Sequence, residues 1–497
     1  MGIIKRQSIK NSIVNYVGVL IGAISVIFIY PQIDENDLGM IQFTMNTAIL
    51  FAPLAGFALS LTAIQFYSDF HADGKENTGY LFLLSASTFV FSVIFVSVIY
   101  AFRHAVSPFF GNDATKFLNA LPYILAFTVI ISLANLFNAY TALFNRVVVP
   151  SILQNLLIKI ALPILVLLFA FGYISFADVY KGMTFTLLCM LLGMIWYIGY
   201  LGQLKLKPNF DLLKIPLLKR MVSYSSFNII VSFGGLLAQR VDLLLIVPMT
   251  QQFGNAAVFG FGFFISEAID VPRKALSSIA SPMISSSLKI NNIAHVNEIY
   301  RKSALLQLIA GVFLLAGVWA CADSLFDLMP KNGEVYRVGK NIILILGIAR
   351  LVDMATGINA EIITYSQYYR FNFISLLTMA VMNVSLNLLL IPRLGIEGSA
   401  YATLISIIVV NFWRMLFIHQ KMTIHPLTIK MLWVILIGIV AWFAAMNTPS
   451  VSMPILNIFI KGIVVTTVYG IGILYFKISE DVTAIFKIVK KFLKIER

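Results

Sequence analysis

The chain has 497 residues, of which 59% are hydrophobic and only 12% are charged, and its mean hydropathy is +0.89. A soluble protein carries about 25% charged residues, so this composition excludes a soluble catalytic domain. The formal net charge of +14 lies mainly in alternate loops and the tail, as membrane topology requires, which argues against nucleic-acid binding. The composition therefore predicts an all-α polytopic membrane protein.

Apolar runs long enough to cross a bilayer recur from one end of the chain to the other. A transmembrane helix needs about 20 apolar residues, and by that measure the sequence predicts about 14 spans. They are expected near residues 11–31, 40–66, 79–102, 118–144, 151–172, 181–203, 222–247, 255–284, 302–326, 337–364, 371–391, 398–418, 427–446 and 454–476. The first run lacks a small-residue cleavage site, so we interpret it as a retained span and not as a signal peptide.

A polar, basic stretch at residues 205–219 divides the chain and predicts a cytoplasmic linker. The turn residues that follow Tyr30-Pro31 are similar to those that follow Val247-Pro248, which indicates two six-helix units in a parallel pseudo-twofold repeat. The predicted domains are an N-terminal six-helix lobe at 1–204, the linker at 205–219, a C-terminal six-helix lobe at 220–425, two additional transmembrane helices at 426–477 and a tail at 478–497.

The distribution of Lys and Arg over the loops predicts the orientation. Basic residues before the first span, in the linker and after the last span fall on one side, whereas the first connection on the other side is acidic. Both termini are therefore expected in the cytoplasm. In the tail, Val482, Ile485, Phe486 and Val489 recur at helical spacing among lysines, which predicts a basic amphipathic helix lying on anionic headgroups.

Charged side chains at membrane depth are the strongest functional signal in the sequence. A charge at the centre of a span costs about 2.5–3.5 kcal/mol on insertion scales, so such residues face protein or a water-filled cavity and mark a substrate or ion path. The candidate substrate-binding residues of a central cavity are Arg240, Asp242, Glu267, Asp270, Arg273, Lys274, Arg350, Asp353 and Glu361.

The same residues also admit a purely structural interpretation. Asp270 and Lys274 are four residues apart, and Arg350 and Asp353 are three apart, spacings at which opposite charges pair on one helix face. Substrate contact and internal pairing are both compatible with the sequence.

Signatures of enzymes are absent from the sequence. It has no Walker loop, no Gly-x-Ser-x-Gly elbow and no Asp-x-Asp pair, and its five histidines lack metal-ligand spacing. Cys189 and Cys321 lie far apart in apolar surroundings and predict no disulfide framework. We expect no enzymatic activity, no cofactor and no metal site.

Two stretches of the sequence resemble a known transporter family. Residues 239–246 read QRVDLLLI, residues 253–257 read FGNAA and residues 259–262 read FGFG, and this run resembles the seventh and eighth helices of bacterial polysaccharide flippases. Residues 387–403 read NLLLIPRLGIEGSAYAT and resemble the eleventh-to-twelfth hairpin of that family. The wider group is the multidrug, oligosaccharidyl-lipid and polysaccharide exporter superfamily.

The resemblance implies two six-helix lobes that work by alternating access, followed by two further helices. It implies a flippase that carries an undecaprenyl-(pyro)phosphate-linked oligosaccharide across the bacterial cytoplasmic (inner) membrane, for a surface polysaccharide such as O-antigen lipopolysaccharide, capsule or exopolysaccharide. Arg240, Asp242, Lys274 and Arg350 match the charged cavity lining of the family. We expect lipid-linked oligosaccharide and membrane lipids as partners, a monomer, and H⁺ or Na⁺ as candidate coupling ions.

Departures from related branches favour the flippases of sugar repeat units. Many drug exporters carry an acidic residue in the first helix, which this chain lacks, and peptidoglycan-precursor flippases place arginines in their first two helices, whereas residues 13–65 contain no Lys or Arg. The alternative is a cation-coupled multidrug or metabolite antiporter on the same scaffold, with Asp242 or Glu267 binding the ion. A membrane polysaccharide polymerase or ligase is a third hypothesis, which the short outward loops disfavour.

Overall fold

The fold was analysed in a computed structural model that describes residues 17–70, 79–144, 148–204, 215–449 and 451–480, together with the single residues 14, 146, 206, 208 and 482. These residues form helices and no β-strand. The start of the first predicted span, most of the linker and residues 483–497 of the predicted amphipathic tail lie outside the described residues. Two compact units are present, Met1–Ala257 with Pro330–Asn332, and Val258–Met329 with Gly333–Arg497.

The first unit is built around two central helices. Its helices are α1 (Val17–Gln32), α2 (Glu35–Ala55), α3 (Leu59–Gln65), α4 (Tyr80–Ala101), α5 (Arg103–Val106), α6 (Ala114–Ala142), α7 (Val148–Ser151), α8 (Leu157–Ala170), α9 (Phe176–Tyr200) and α10 (Ile215–Thr250). In α2 and in the segment that contains α6, 61% of the apolar window is buried, against 17% in α4 and 11% in the α7–α8 segment. Helices α2 and α6 therefore form the core, and α4 and α8 present apolar faces for lipid.

Local sequence explains where several of these helices begin. The side chain of Asp34 accepts a hydrogen bond from the backbone N–H of Asn36 at 2.8 Å and caps α2. Ser175 and Asp178 form a reciprocal capping box at the start of α9. Within the core, the ring of Phe43 packs edge-on against Phe110 and Phe253, with centroids 5.6 Å apart in both pairs.

The second unit is built around the long helix α13. Its helices are α11 (Gly254–Ile269), α12 (Val271–Lys289), α13 (Ile293–Asp327), α14 (Gly333–Arg337), α15 (Lys340–Ala355), α16 (Asn359–Tyr365), α17 (Tyr369–Leu394), α18 (Ile396–Met422), α19 (Ile429–Met446) and α20 (Pro454–Tyr475). Helix α13 packs against α12, α15, α19 and α20. Leu308 and Val312 of α13 bury against Val434 and Tyr469, and the Tyr469 hydroxyl donates to the carbonyl of Ile309 at 2.8 Å.

The helices agree with the predicted fold class, whereas the predicted number of spans is not confirmed. In the described part of the chain, eleven helices are long and apolar enough to cross a membrane, or twelve if α15 and α16, bent by 46° to each other, form one broken span. The two remaining predicted spans coincide with α1, which is shorter, and with α11 and α12, which are separated at Asp270. The protein is a multi-pass, all-α membrane protein.

The boundary between the compact units differs from the predicted boundary between the lobes. The structure divides after Ala257, so α10 belongs to the first unit, whereas the linker at 205–219 predicted that this helix opens the second lobe. Helix α10 is part of the first unit because it packs against α2 and α3 of that unit. The division into two six-helix lobes stays a prediction.

A tight hairpin joins α17 to α18. Gly395 has φ +59° and ψ −143°, a conformation essentially restricted to glycine. Three residues later, Gly398 lies so close to the preceding helix that a Cβ atom there would overlap the carbonyl group of Leu390. Glycine is therefore required twice within the GIEG turn.

We expect Gly398→Ala to lower stability by about 1–3 kcal/mol, because the added methyl group meets backbone that cannot move without opening the hairpin. The measurement is the melting midpoint of the purified protein in dodecyl maltoside. The matched control is Gly470→Ala in α20, where a Cβ would meet open space and the variant should be as stable as the wild type or more so. Equal midpoints for Gly398→Ala and wild type would contradict the close approach of the two helices.

Candidate functional site

Two interruptions of helical backbone lie next to the charged residues of the second unit. Helices α11 and α12 are separated at Asp270, and Pro272 in the first turn of α12 has no N–H to continue the helical ladder. Helices α15 and α16 are separated by residues 356–358, where Gly357 has φ +65°. Non-helical backbone at membrane depth is tolerated where it is buried in protein or lines a polar cavity. Asp270 itself keeps right-handed helical dihedrals, φ −76° and ψ −10°, so the first break is the hydrogen bond lost at Pro272, and only the second break is non-helical backbone. A polar region is therefore expected around the second break.

The first break carries an accessible cluster in which one carboxylate bridges two cations. Lys274 Nζ donates to Glu267 Oε2 at 2.6 Å, and Arg350 Nη2 donates to Glu267 Oε1 at 2.7 Å. The side chains of Lys274, Glu267 and Arg350 are 51%, 35% and 14% exposed. The guanidinium of Arg350 also lies 5.9 Å from the ring centroid of Phe263. This Glu267 cluster has one positive charge in excess and an open side.

A second ion pair at the same break is buried. Asp270 is completely buried and accepts two hydrogen bonds from Arg273, at 2.6 Å from Nε and 2.9 Å from Nη2. Lys274 Nζ lies farther away, 3.5 Å from Asp270 Oδ2. The predicted pairing of Asp270 with Lys274 is thus present but secondary to the bidentate pair with Arg273. Such fork-to-carboxylate geometry fixes orientation and satisfies both partners inside the protein.

The second break carries a set of ionisable groups held by neutral partners. Asn411 donates to Asp353 Oδ1 at 2.6 Å, and the hydroxyl of Ser277 donates to Glu361 Oε1. Arg414 donates from Nε to the hydroxyl of Ser375 at 2.8 Å. The intrahelical pair between Arg350 and Asp353 that their spacing allows is not formed among the described residues, since Arg350 pairs with Glu267 instead.

Four cations and four carboxylates meet around the two breaks, so their formal charges cancel. They are Arg273, Lys274, Arg350, Arg414, Glu267, Asp270, Asp353 and Glu361. Seven of the nine candidate residues from the sequence belong to this network and to the second unit. The network is carried by three separate stretches of the sequence, which form α11 with α12, α15 with α16, and α18.

The other two candidates, Arg240 and Asp242, belong to the first unit. Both lie on α10, where Arg240 Nη1 donates to Asn46 Oδ1 at 2.7 Å and Asp242 is buried. Their role in a substrate path stays a prediction.

Sequence reasoning missed Arg414 and Asn411 of α18. Arg414 lies inside the apolar run at 398–418, so the criterion that selected the other charges, a charged residue at membrane depth, would also have found it. Asn411 carries no such signal, because a buried amide has many structural uses. In the described part of the chain, no group of three or more His, Cys, Asp or Glu residues is arranged to hold a metal ion.

Comparisons with known proteins identify the fold. No family model matches the sequence. An uncharacterized membrane protein of Methanocaldococcus jannaschii is 21% identical over 488 residues, which cover 93% of each chain. The structure of the lipid II flippase MurJ, in an inward closed conformation, matches with a TM-score of 0.74 and 13% identity, covering 94% of this chain and 99% of that one. The present chain has the MurJ fold.

A multidrug resistance MATE family transporter of the MOP superfamily, in an inward-facing conformation, has the same fold. It matches with a TM-score of 0.62 and 12% identity, covering 82% of this chain and 94% of its own. At these identities the likeness shows the architecture of a MurJ/MATE-type protein. The narrower family of polysaccharide flippases stays a prediction.

The two acidic residues of the first break should differ in their effect on stability. We expect Asp270→Asn to cost about 3–5 kcal/mol, because it leaves the largely buried Arg273 guanidinium without its counter-charge. Glu267→Gln, an equally small change at a carboxylate that is 35% exposed, should cost less, because solvent around Glu267 and Lys274 screens their charges. The measurement is the melting midpoint of each purified variant, and the reverse order would contradict the division into a buried pair and an accessible cluster.

Proposed function

We propose that this protein is a flippase that moves undecaprenyl-(pyro)phosphate-linked oligosaccharide repeat units across the cytoplasmic membrane for surface polysaccharide biosynthesis. The polysaccharide-flippase motifs of the sequence and the MurJ/MATE fold support the proposal. The observation that carries it is the Glu267 cluster, an accessible group of one Lys, one Arg and one carboxylate beside a helix break.

The chemistry of this cluster suits an anionic headgroup. A phosphate that leaves water needs donors that replace its hydration, and a guanidinium and an ammonium provide several N–H groups with a fixed positive charge. The carboxylate of Glu267 now lies between Lys274 and Arg350, where a phosphoryl oxygen would bind. The Lys274–Glu267 pair is accessible on both sides, and such a pair is worth only about 0–1 kcal/mol, so an incoming phosphate can displace Glu267 from Lys274 at little cost.

The proposal includes the remaining features of a transporter of this kind. The protein works by alternating access as a monomer in the bacterial inner membrane, with both termini in the cytoplasm and with H⁺ or Na⁺ as the coupling ion. It moves its substrate without making or breaking covalent bonds, so it is not an enzyme. The undecaprenyl chain stays in the bilayer while the charged headgroup crosses.

A cation-coupled multidrug or metabolite antiporter is the second candidate function. The structural similarity to a MATE family transporter favours it. So does the presence of two carboxylates, Asp353 and Glu361, that form no salt bridge among the described residues and would be available to a coupling cation.

Purified protein in liposomes should distinguish the two functions. We expect it to move undecaprenyl-pyrophosphoryl-N-acetylglucosamine across the bilayer, measured as the fraction of the sugar that becomes accessible to an added galactosyltransferase and radiolabelled UDP-galactose. We expect no accumulation of ethidium under an imposed proton or sodium gradient. Protein-free liposomes are the control, and the opposite pair of results would favour the antiporter.

Removal of the bridging carboxylate should strengthen anion binding. In Glu267→Gln, Arg350 loses its carboxylate partner and Lys274 keeps only the longer contact of 3.5 Å with Asp270. A phosphate then has less internal anion to displace, so we expect a several-fold lower Kd for undecaprenyl pyrophosphate by native mass spectrometry in detergent. Arg350→Gln should raise the Kd. The matched control is Glu298→Gln, which breaks an exposed carboxylate–lysine pair of 2.7 Å to Lys302 elsewhere in the same unit. An unchanged Kd in both Glu267→Gln and Arg350→Gln would exclude the cluster as the phosphate site.

A further inference from the structure

The groups at the second helix break contain both hydrogen-bond acceptors and donors that are incompletely used. Asp353 and Glu361 are partly exposed, each accepts from one neutral side chain, and neither forms a salt bridge among the described residues. A carboxylate has about four acceptor positions. Most of the acceptor capacity of both residues is therefore open.

Arg414 supplies open donors beside them. Its side chain is nine-tenths buried, its Nε is fixed by the hydroxyl of Ser375, and neither terminal amino group has an acceptor within the part of the chain that the structure describes. Asp353 and Glu361 are close enough to stabilise its charge through space without accepting its hydrogen bonds. Its two terminal amino groups keep some accessible surface, so their four unused N–H groups are open to a ligand or to water.

The balance of charge and hydrogen bonding selects the chemical class of the ligand that the groups at the second break would bind. Arg273 is already paired with Asp270, so Arg414 faces two carboxylates and the set has one negative charge in excess, which disfavours a second anion. A bare cation would satisfy the carboxylates but leave the N–H groups of Arg414 unused. A hydroxyl group both donates and accepts, and a neutral polyol offers several of them at once.

The position of this set relative to the Glu267 cluster agrees with a sugar next to a phosphate. Ser277 follows Lys274 by three residues on α12, and Asp353 follows Arg350 by three residues on α15. Residues three apart lie on one helix face, displaced by about 4.5 Å along the axis at 1.5 Å per residue. That displacement is comparable to the distance from a pyrophosphate to the ring of the sugar it carries.

From these observations we propose that Asp353, Glu361 and Arg414 form a binding site for the hydroxyl groups of the sugar next to the phosphate. Asn411 positions Asp353 in this site, and its own amide oxygen accepts from Asn359 at 2.8 Å. The proposal rests on the proposed function and adds to it a division of the substrate site. The Glu267 cluster binds the charged headgroup, and this hydroxyl site binds the first sugar ring and selects for glycosylated lipid.

Two probes that differ by one sugar test the hydroxyl site. Undecaprenyl pyrophosphate and undecaprenyl-pyrophosphoryl-N-acetylglucosamine are titrated onto the full chain by native mass spectrometry, for wild type, Arg414→Lys, Glu361→Gln and Arg350→Gln. We expect wild type to bind the sugar-bearing probe about tenfold more tightly, which corresponds to about 1.4 kcal/mol. Arg414→Lys keeps the charge but loses the fork, and it should abolish this advantage without changing the Kd of the bare probe.

The other variants keep the test decisive. Glu361 is partly exposed, so Glu361→Gln should fold normally even if Arg414→Lys misfolds. Glu361→Gln should reduce the preference for the sugar-bearing probe in the same way. Arg350→Gln should weaken both probes equally. Three results would each overturn the hydroxyl site. Arg414→Lys could lose binding of both probes, the preference for the sugar-bearing probe could be the same in both variants as in wild type, or the variants could change only the sodium dependence of binding. Wild type that binds only the bare probe refutes this inference alone, whereas wild type that binds neither probe refutes the proposed function.

Discussion

The cost of placing charge at membrane depth is the constraint on which the second unit depends. Each ionised side chain must find a counter-charge, a hydrogen-bond partner or water, and the straight helices of a bundle present few places where eight such groups can meet. Two helix breaks provide those places. Pro272 interrupts one span and Gly357 another, and the charged residues of α12, α15, α16 and α18 gather around the interruptions.

The same chemistry is used in two different ways within a few residues. Asp270 is fully buried and forms a bidentate pair with Arg273, so this pair holds the broken span together. Glu267 is accessible and shared between two cations, so its hydrogen bonds can be exchanged for those of another anion. Burial, and not the residue type, separates the acid that holds the fold from the acid that we propose to be displaced by substrate.

The sequence predicted the features that depend on local composition. Long apolar runs identified the class of fold and most helices, because a span is defined by the length of one uninterrupted stretch. The breaks were not predicted, since Gly357 and Pro272 are single residues within otherwise apolar runs. The ion-pair partners of the charged side chains could not be predicted either, because Glu267 and Arg350 are 83 residues apart and meet only through packing.

Helical spacing was a poor guide to pairing for the same reason. It suggested Arg350 with Asp353, yet both residues bind side chains of other helices. Arg414 was missed although it satisfied the criterion that selected its neighbours, so a systematic search of every predicted span for charges would have completed the set. Tertiary contact, which periodicity does not encode, decides between an internal pair and an open site.

The cancellation of charge around the two breaks has an electrical consequence. Moving one elementary charge through a membrane potential of 100 mV changes the free energy by about 2.3 kcal/mol, whereas a group with no net charge crosses the field without such a term. An unloaded carrier whose ionised groups sum to zero can reset at a rate insensitive to voltage. In the proposed transport cycle, the voltage then acts on the loaded step through the negative headgroup, and an interior that is negative favours its outward movement.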